Sequence, residues 1–242
     1  MLDGRRIIAI APCLDEEAKI ARVVERVRMM RRQIVDEVLV VDDGSKDGSA
    51  AAAEARGATV IRLGKVLGVG AALRRGFQHA RERGFDVIVV IAGNDKDEPE
   101  EIPALVEPII RGEADFVQGS RFLGSRRFGD MPRYRRIATR IHPLLFSACV
   151  GRRVTESTNG FRAFRASLLD DPRVKLDQGW LDQYELEPYL YYKAITLGYR
   201  TAEVPCTKVY PPRKAGFTKM KPFSGWWSIL RPLVLLRLGL RS

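Results

Sequence analysis

The sequence predicts an α/β fold in which a mostly parallel sheet is covered by helices on both faces. Three observations carry that expectation. Short, continuously apolar runs alternate with stretches of helical period through the first half of the chain. The apolar runs are unbroken rather than alternating, as strands buried on both faces require. Acidic residues gather where three of those runs end: Asp15 and Glu16, Asp42 and Asp43, Asp95 and Asp97. Ligands of such sheets sit beyond the carboxyl ends of the strands.

Taken in order, residues 7–11 form a short apolar run ended by Pro12, and read as a buried strand. Ile20, Val23, Val24 and Val27 recur at helical spacing, which predicts an amphipathic helix from Glu16 to about Arg32. A second strand is expected at 38–41, a helix through 50–56, a strand at 59–63, a helix over 68–83 and a strand at 87–91. Pro99 followed by Glu100 and Glu101 suits the opening of a helix, because proline fits the first turn and the acids complement the helix dipole. Residues 114–117 are a further strand candidate. Beyond them the pattern is less regular. Residues 133–150 are basic, then apolar; Asn159-Gly160 marks a turn; 184–197 is an aromatic-rich helix candidate in which Pro188 must lie in the first turn or bend the helix; 201–206 is a last strand. The Pro/Lys/Gly-rich stretch 208–222 is expected to be a mobile basic loop. The division expected is one catalytic domain over 1–222 and an amphipathic tail over 223–242.

Composition narrows the function. The 242 residues are 45 % hydrophobic, enough for a sizeable core and too many for a disordered chain. Forty-one Lys and Arg face 30 Asp and Glu, and a formal charge of +11 favours anionic partners such as nucleotides, phosphorylated substrates or an anionic membrane. No recognisable nucleic-acid module accompanies the charge. Cys13, Cys149 and Cys206 are widely spaced and read as reduced thiols rather than a disulfide framework or a zinc site. The N-terminal apolar run is short and soon acidic, unlike a signal peptide, and no stretch has the ~20 apolar residues that span a bilayer. The expectation is a cytoplasmic protein, peripheral on the inner face of the membrane.

Six segments then share one resemblance. VLVVDDGSKDGS at 38–49 resembles the strand–turn segment of family-2 glycosyltransferases. IAIAPCLDEEAKI at 8–20, VLGVGAALRRGF at 66–77, VQGSRF at 117–122, STNGFRAF at 157–164 and EVPCTKVYPPRKAGFTK at 203–219 resemble further segments of that family, in family order. The nearest group is that of dolichol- or polyprenol-phosphate mannose synthases. The resemblance implies the GT-A nucleotide-sugar-binding fold. It also implies transfer of a hexosyl group, with inversion, from a UDP- or GDP-sugar to a polyprenol phosphate or other phosphorylated acceptor. It would place Pro12, Glu16 and Asp42 around the base and ribose, Asp43 in the donor-site loop, and Gly70, with Gly68, at a helix start close to the donor. An asparagine common two residues before the first glycine is Val66 here.

One segment departs from the family. Its metal sequence, commonly Asp-x-Asp, is IAGNDKDEPEEI at 91–102. Without gaps, Ala92 and Asn94 take the places of the two aspartates, and Lys96 falls where a glutamine often stands. Asp95 and Asp97 form a literal Asp-x-Asp one residue on. Hard cations take oxygen ligands and substrate phosphates, so the first expectation is Mg²⁺ or Mn²⁺ at a shifted site on Asp95 and Asp97, with Asn94 beside it. The rival expectation is that Lys96 is the counter-charge of the donor phosphates.

A lipid-phosphate acceptor is already anionic and needs cations more than a base. Arg121 and Arg162 are candidates, with Arg213 and Lys219 in the expected loop; the guanidinium fork suits phosphate oxygens. A hydroxyl acceptor would instead need a base, for which Glu185 and Glu187 are candidates. Trp226 and Trp227, set among leucines and arginines, suit a helix in a membrane interface, and equally one packed on the core or in a homodimer. The alternatives are a non-catalytic nucleotide-sugar or membrane-binding module, and a sugar nucleotidyltransferase. The latter would favour a glycine-rich phosphate loop after the first strand, where this chain has PCLDEE.

Overall fold

The structure, a computed structural model, describes residues 3–30, 34–124, 131–210 and 224–241. Seven strands form one sheet: β1 (Ile7–Cys13), β2 (Glu37–Asp42), β3 (Thr59–Arg62), β4 (Val87–Val90), β5 (Phe116–Ser120), β6 (Arg162–Arg165) and β7 (Thr201–Pro205). Their spatial order is β3-β2-β1-β4-β6-β5-β7. All neighbours are parallel except β6, which runs antiparallel to both β4 and β5. The expected mostly parallel α/β sheet is therefore present, with one inserted antiparallel strand that the sequence pattern did not announce.

The helices are α1 (Glu17–Arg28), α2 (Ser49–Ala55), α3 (Val69–Glu82), α4 (Ile102–Ile110), α5 (Arg133–Val150), α6 (Leu186–Thr196) and α7 (Ser224–Arg237). Alternate residues of β1 point to opposite faces. Ile8 and Ile10 join Leu39, Phe77, Phe116 and Tyr189 in one core; Ile7, Ala9 and Ala11 join Val23, Val40, Leu105 and Val106 in the other. Burial on both sides is the reason the strand sequences are unbroken apolar runs. Helix α1 buries the predicted stripe of Ile20, Val23, Val24 and Val27. Pro188 lies in the first turn of α6, where its missing N–H costs no helix hydrogen bond.

Two further helices, α5 and α7, pack on the first of these cores through Phe146, Leu233 and Leu236. Helix α7, within the predicted tail, buries Ile229, Leu233 and Leu236 while Trp227 and Val234, and Leu238 just beyond its end, are exposed. Helix α5 buries Thr139, His142 and Phe146 on one face, and His142 links it to its surroundings through Ser157 Oγ at 2.7 Å and the Ile229 carbonyl of α7 at 3.3 Å. None of the helices among the described residues is long and apolar enough to cross a membrane.

Candidate functional site

The carboxyl ends of β1, β2 and β4 meet in one locality, held by crossed hydrogen bonds. The Asp15 amide donates to Ser45 Oγ at 2.9 Å, and the Lys46 amide donates to Asp15 Oδ1 at 2.7 Å. The Glu16 amide donates to Ser49 Oγ at 2.8 Å, and the Gly48 amide to Glu17 Oε2 at 3.1 Å. Asp15 takes a left-handed backbone, φ +45°, a conformation that aspartate tolerates better than most residues. The two loops are thus a single hydrogen-bonded unit, in which Ser45 and Ser49 of the DDGSKDGS segment serve the β1 loop.

Within that unit Pro12 pairs with Val41, and Cys13 with Asp42. Asp42 is buried, and its Oδ1 accepts from the Ser45 amide at 3.3 Å. Glu16 holds Lys19 Nζ at 2.5 Å. Asp43 is committed to the loop before α3: Oδ1 accepts from the Leu67 amide at 2.7 Å and Oδ2 from Gly68 at 2.9 Å. Burial raises its carboxyl above the ordinary value; those two amides pull the other way, and neighbouring Asp42 adds to the rise.

The glycines have a reason of their own. A Cβ on Gly70 would lie 1.9 Å from the Leu181 carbonyl, and one on Gly68 2.3 Å from the Asp182 carbonyl. Ala71 N donates to that same Asp182 carbonyl at 3.1 Å. The missing side chain of Gly70, expected at a helix start close to the donor, makes room for 181–183 to lie against the start of α3.

The segment after β4 departs most from expectation. Asp95, at φ +55°, turns toward α1, where Arg22 Nε lies 2.8 Å from Oδ2 and Arg26 3.3 Å from Oδ1. Asp97 is buried, with the Ala92 amide 3.0 Å from Oδ2 and Lys208 Nζ 2.5 Å from Oδ1. The two carboxylates are neutralised by different cations and do not converge. Asn94 Oδ1 is buried and accepts no hydrogen bond. Among the described residues no three His, Cys, Asp or Glu side chains are grouped to hold a metal ion. A divalent ion in a phosphate site is held by one or two carboxylates besides the substrate. Here a single amide oxygen stays open, so the arrangement does not fit the metal site expected on Asp95 and Asp97. Asp95 is likewise placed in an α1 ion cluster rather than among the reacting groups.

Lys96 is buried between the ends of β1, β4 and β7. Its Nζ lies 5.2 Å from the centre of the Tyr210 ring, and the Arg135 guanidinium lies 5.4 Å from the same centre. Burial, then Lys208 and Arg135, push its ammonium down to about 8; Glu16 opposes and Lys19 reinforces the shift. Arg135 Nε is buried without an acceptor.

The other expected cations are tied into the fold. Arg121 is buried, with Glu156 Oε2 at 2.5 Å, Tyr210 Oη at 3.2 Å and Thr158 Oγ1 at 3.1 Å. Burial works against its charge, but Glu156 and Tyr210 together outweigh that and hold the guanidinium above its ordinary value. Arg162 donates to the carbonyls of Asn159 at 2.6 Å and Glu187 at 2.8 Å, with the Glu187 carboxylate at 3.8 Å. Glu185 is buried, paired with Arg231 of α7 at 2.5 Å. Arg213 and Lys219 lie outside the described residues. Lys208, Tyr210 and Arg135 were not singled out by sequence reasoning, although Lys208 and Tyr210 stand inside the EVPCTKVYPP segment and Arg135 in a visibly basic run.

A second surface adjoins this site in the chain. Tyr134, Ile137, Ile141, Leu144 and Leu145 form an exposed apolar stripe at helical spacing on α5; Ile137 is 60 % and Leu144 69 % exposed. Arg133, Arg136 and Arg140 are exposed on the same helix, which contains no acid. Leu144 and Arg140 also border an open cavity of about 1040 Å³, together with Phe122, Leu123 and Arg153.

Comparison with known proteins fits this geometry. The profile of Glycosyl transferase family 2 matches residues 8–172. The chain belongs to that family. An undecaprenyl-phosphate mannosyltransferase of Micrococcus luteus is 31 % identical over 220 residues, covering 89 % of this chain and 87 % of the relative. A polyprenol monophosphomannose synthase of Mycolicibacterium smegmatis is 29 % identical, covering 89 % and 81 %. Among solved structures, glucosyl-3-phosphoglycerate synthase from Mycobacterium tuberculosis, in complex with Mn²⁺, UDP and phosphoglyceric acid, superposes with a TM-score of 0.70 at 25 % identity, over 99 % of this chain and 80 % of that one. The fold is GT-A, as the resemblance implied, and this family-2 glycosyltransferase has its candidate donor pocket at the β1, β2 and β4 strand ends.

Proposed function

We propose that the chain transfers a hexosyl group from a nucleotide sugar to a polyprenol phosphate at a membrane surface. The single observation that carries the donor half is the interlocking of the β1 and β2 loops by crossed hydrogen bonds, with Asp42 buried at the end of β2. Pro12, Glu16 and Asp42 border the place of the base and ribose, where carboxylates accept charge-assisted hydrogen bonds from N–H and hydroxyl groups. Asp43 acts on the donor indirectly, by fixing Leu67 and Gly68.

The acceptor half is supported by the lipid-phosphate acceptors named for two relatives and by α5. An apolar stripe flanked by arginines suits a helix lying in an anionic interface. The cavity beside Leu144 offers apolar walls and the guanidinium groups of Arg140 and Arg153 to a prenyl phosphate. The lipid phosphate oxygen bonds to the anomeric carbon as the bond to the nucleotide's β-phosphate oxygen breaks. The nucleoside diphosphate leaves with the bonding pair. Attack from the face opposite the leaving group inverts the anomeric centre. The nucleophile is already an anion, so this reading asks no proton transfer of Glu185, which is bound to Arg231. Mn²⁺ or Mg²⁺ brought in by the donor would supply charge to the diphosphate; Asn94 Oδ1, the nearby oxygen without a hydrogen bond, is itself buried.

A thermal-shift screen of UDP-, GDP- and dTDP-sugars, with and without Mn²⁺, tests the donor site, because a ligand of the native state raises the melting temperature. At least one is expected to do so; failure of all would refute the donor reading. Flotation with anionic vesicles tests the surface. Ser at Ile137, Ile141 and Leu144 is expected to abolish flotation while leaving the nucleotide response intact. Unchanged flotation would remove α5 from the proposal.

A further inference from the structure

The acids expected to hold a metal are occupied by the protein's own cations, and the same place is crowded with positive charge. Lys208 lies 2.5 Å from Asp97 and Lys19 2.5 Å from Glu16, both pairs bordering Lys96. Lys96 and Arg135 share the ring of Tyr210, whose hydroxyl meets Arg121 at 3.2 Å. Arg135 carries a buried Nε with no acceptor, on a helix without acids. Two like charges drawn to one ring, one of them short of an acceptor, make a receptor for an anion. The ends of β1 and β4 fix where that anion would sit. A Cβ on Gly93 would meet the Pro12 carbonyl at 2.8 Å, so the β4 loop lies tight against the β1 end, beside the pocket given above to base and ribose.

We propose that Lys96 and Arg135 hold the diphosphate of the nucleotide donor, so that nucleotide binding does not require a divalent cation. This rests on the donor-site reading above and adds to it the group that neutralises the phosphates. Lys96 acts as a fixed point charge and Arg135 as a directional donor. Lys208 keeps Asp97 neutralised, which stops that carboxylate from repelling the phosphates.

Calorimetric titration of the full chain with UDP and with GDP, each in EDTA and in Mn²⁺, tests this. The nucleotide that binds is expected to do so in EDTA within about threefold of its affinity in Mn²⁺. Lys96→Gln is expected to weaken it at least about tenfold, the loss of one charge-assisted contact, with the affinity for the bare nucleoside unchanged. Arg135→Gln, on a partly exposed helix position, provides a second variant should Lys96→Gln fail to fold, and is expected to weaken the nucleotide about tenfold as well. Binding that appears only with Mn²⁺, or that survives both substitutions, would overturn the proposal while leaving the donor site standing. No binding of either nucleotide in either buffer would overturn the donor site and the proposal together.

Discussion

Replacing Lys96 by methionine should make the protein more stable. Burial first, then Lys208 and Arg135, bring its ammonium from 10.5 down to about 8. At about 1.36 kcal/mol per unit, keeping it charged costs the folded chain about 3 kcal/mol. Methionine preserves most of the stem and gives up the contact with Tyr210, worth about 1 kcal/mol. The net gain expected is about 2 kcal/mol, or about 4–8 °C in Tm for a chain of this size. The pH dependence carries the same signature. The folded-state value lies below the unfolded one, so the penalty is complete below about 8 and fades as pH rises toward 10.5. The advantage of Lys96→Met over the wild type should therefore shrink across that window, with Lys19, Glu16, Arg135 and Lys208 the charged groups that set it. Urea denaturation at pH 7 and pH 10 measures both quantities. A variant less stable than wild type at pH 7, or an advantage independent of pH, would refute the reasoning.

Three further substitutions test the surrounding architecture. Asp43→Ala strands the Leu67 and Gly68 amides and should cost about 2–3 kcal/mol in urea denaturation, with weaker nucleotide binding. Glu156→Gln leaves Arg121 buried beside a neutral amide and should cost about 3–5 kcal/mol, whereas removing both partners should cost less than the sum of the single losses. Gly70→Ala sets a methyl group against the Leu181 carbonyl and should lower Tm by several degrees, at about 2 kcal/mol or more for overpacking against backbone. An unperturbed melting curve would count against that packing.

Much of the fold was legible because local pattern and global burial agree. Strands β1 and β4 and the 38–41 stretch of β2 are unbroken apolar runs since both faces are covered, and α1 shows its stripe because only one face is. Strand β6 was not legible. Arg-Ala-Phe-Arg is short and carries arginines, and Arg162 is buried only because the carbonyls of Asn159 and Glu187 receive it. Helix α5 hid its period because apolar residues lie on both its buried and exposed faces. In the site, Asp42 and Asp43 were placed by the strand that ends at them. The partners chosen by Asp95 and Asp97 could not be read, because Arg22, Arg26 and Lys208 are far away in sequence and meet those acids only through tertiary packing.

The inserted antiparallel strand also bears on synthesis. Strands β3, β2, β1 and β4 can pair as soon as residue 90 has emerged, but the far side of β4 waits for β6 at Arg162–Arg165. The ribosome must add roughly 70 residues in between, which at about 5–20 residues per second takes several seconds. Throughout that interval Val87–Val90 present a bare, wholly apolar edge. A nascent chain stalled between these two strands would be the form most prone to join its neighbours, and the one a chaperone would have most reason to hold.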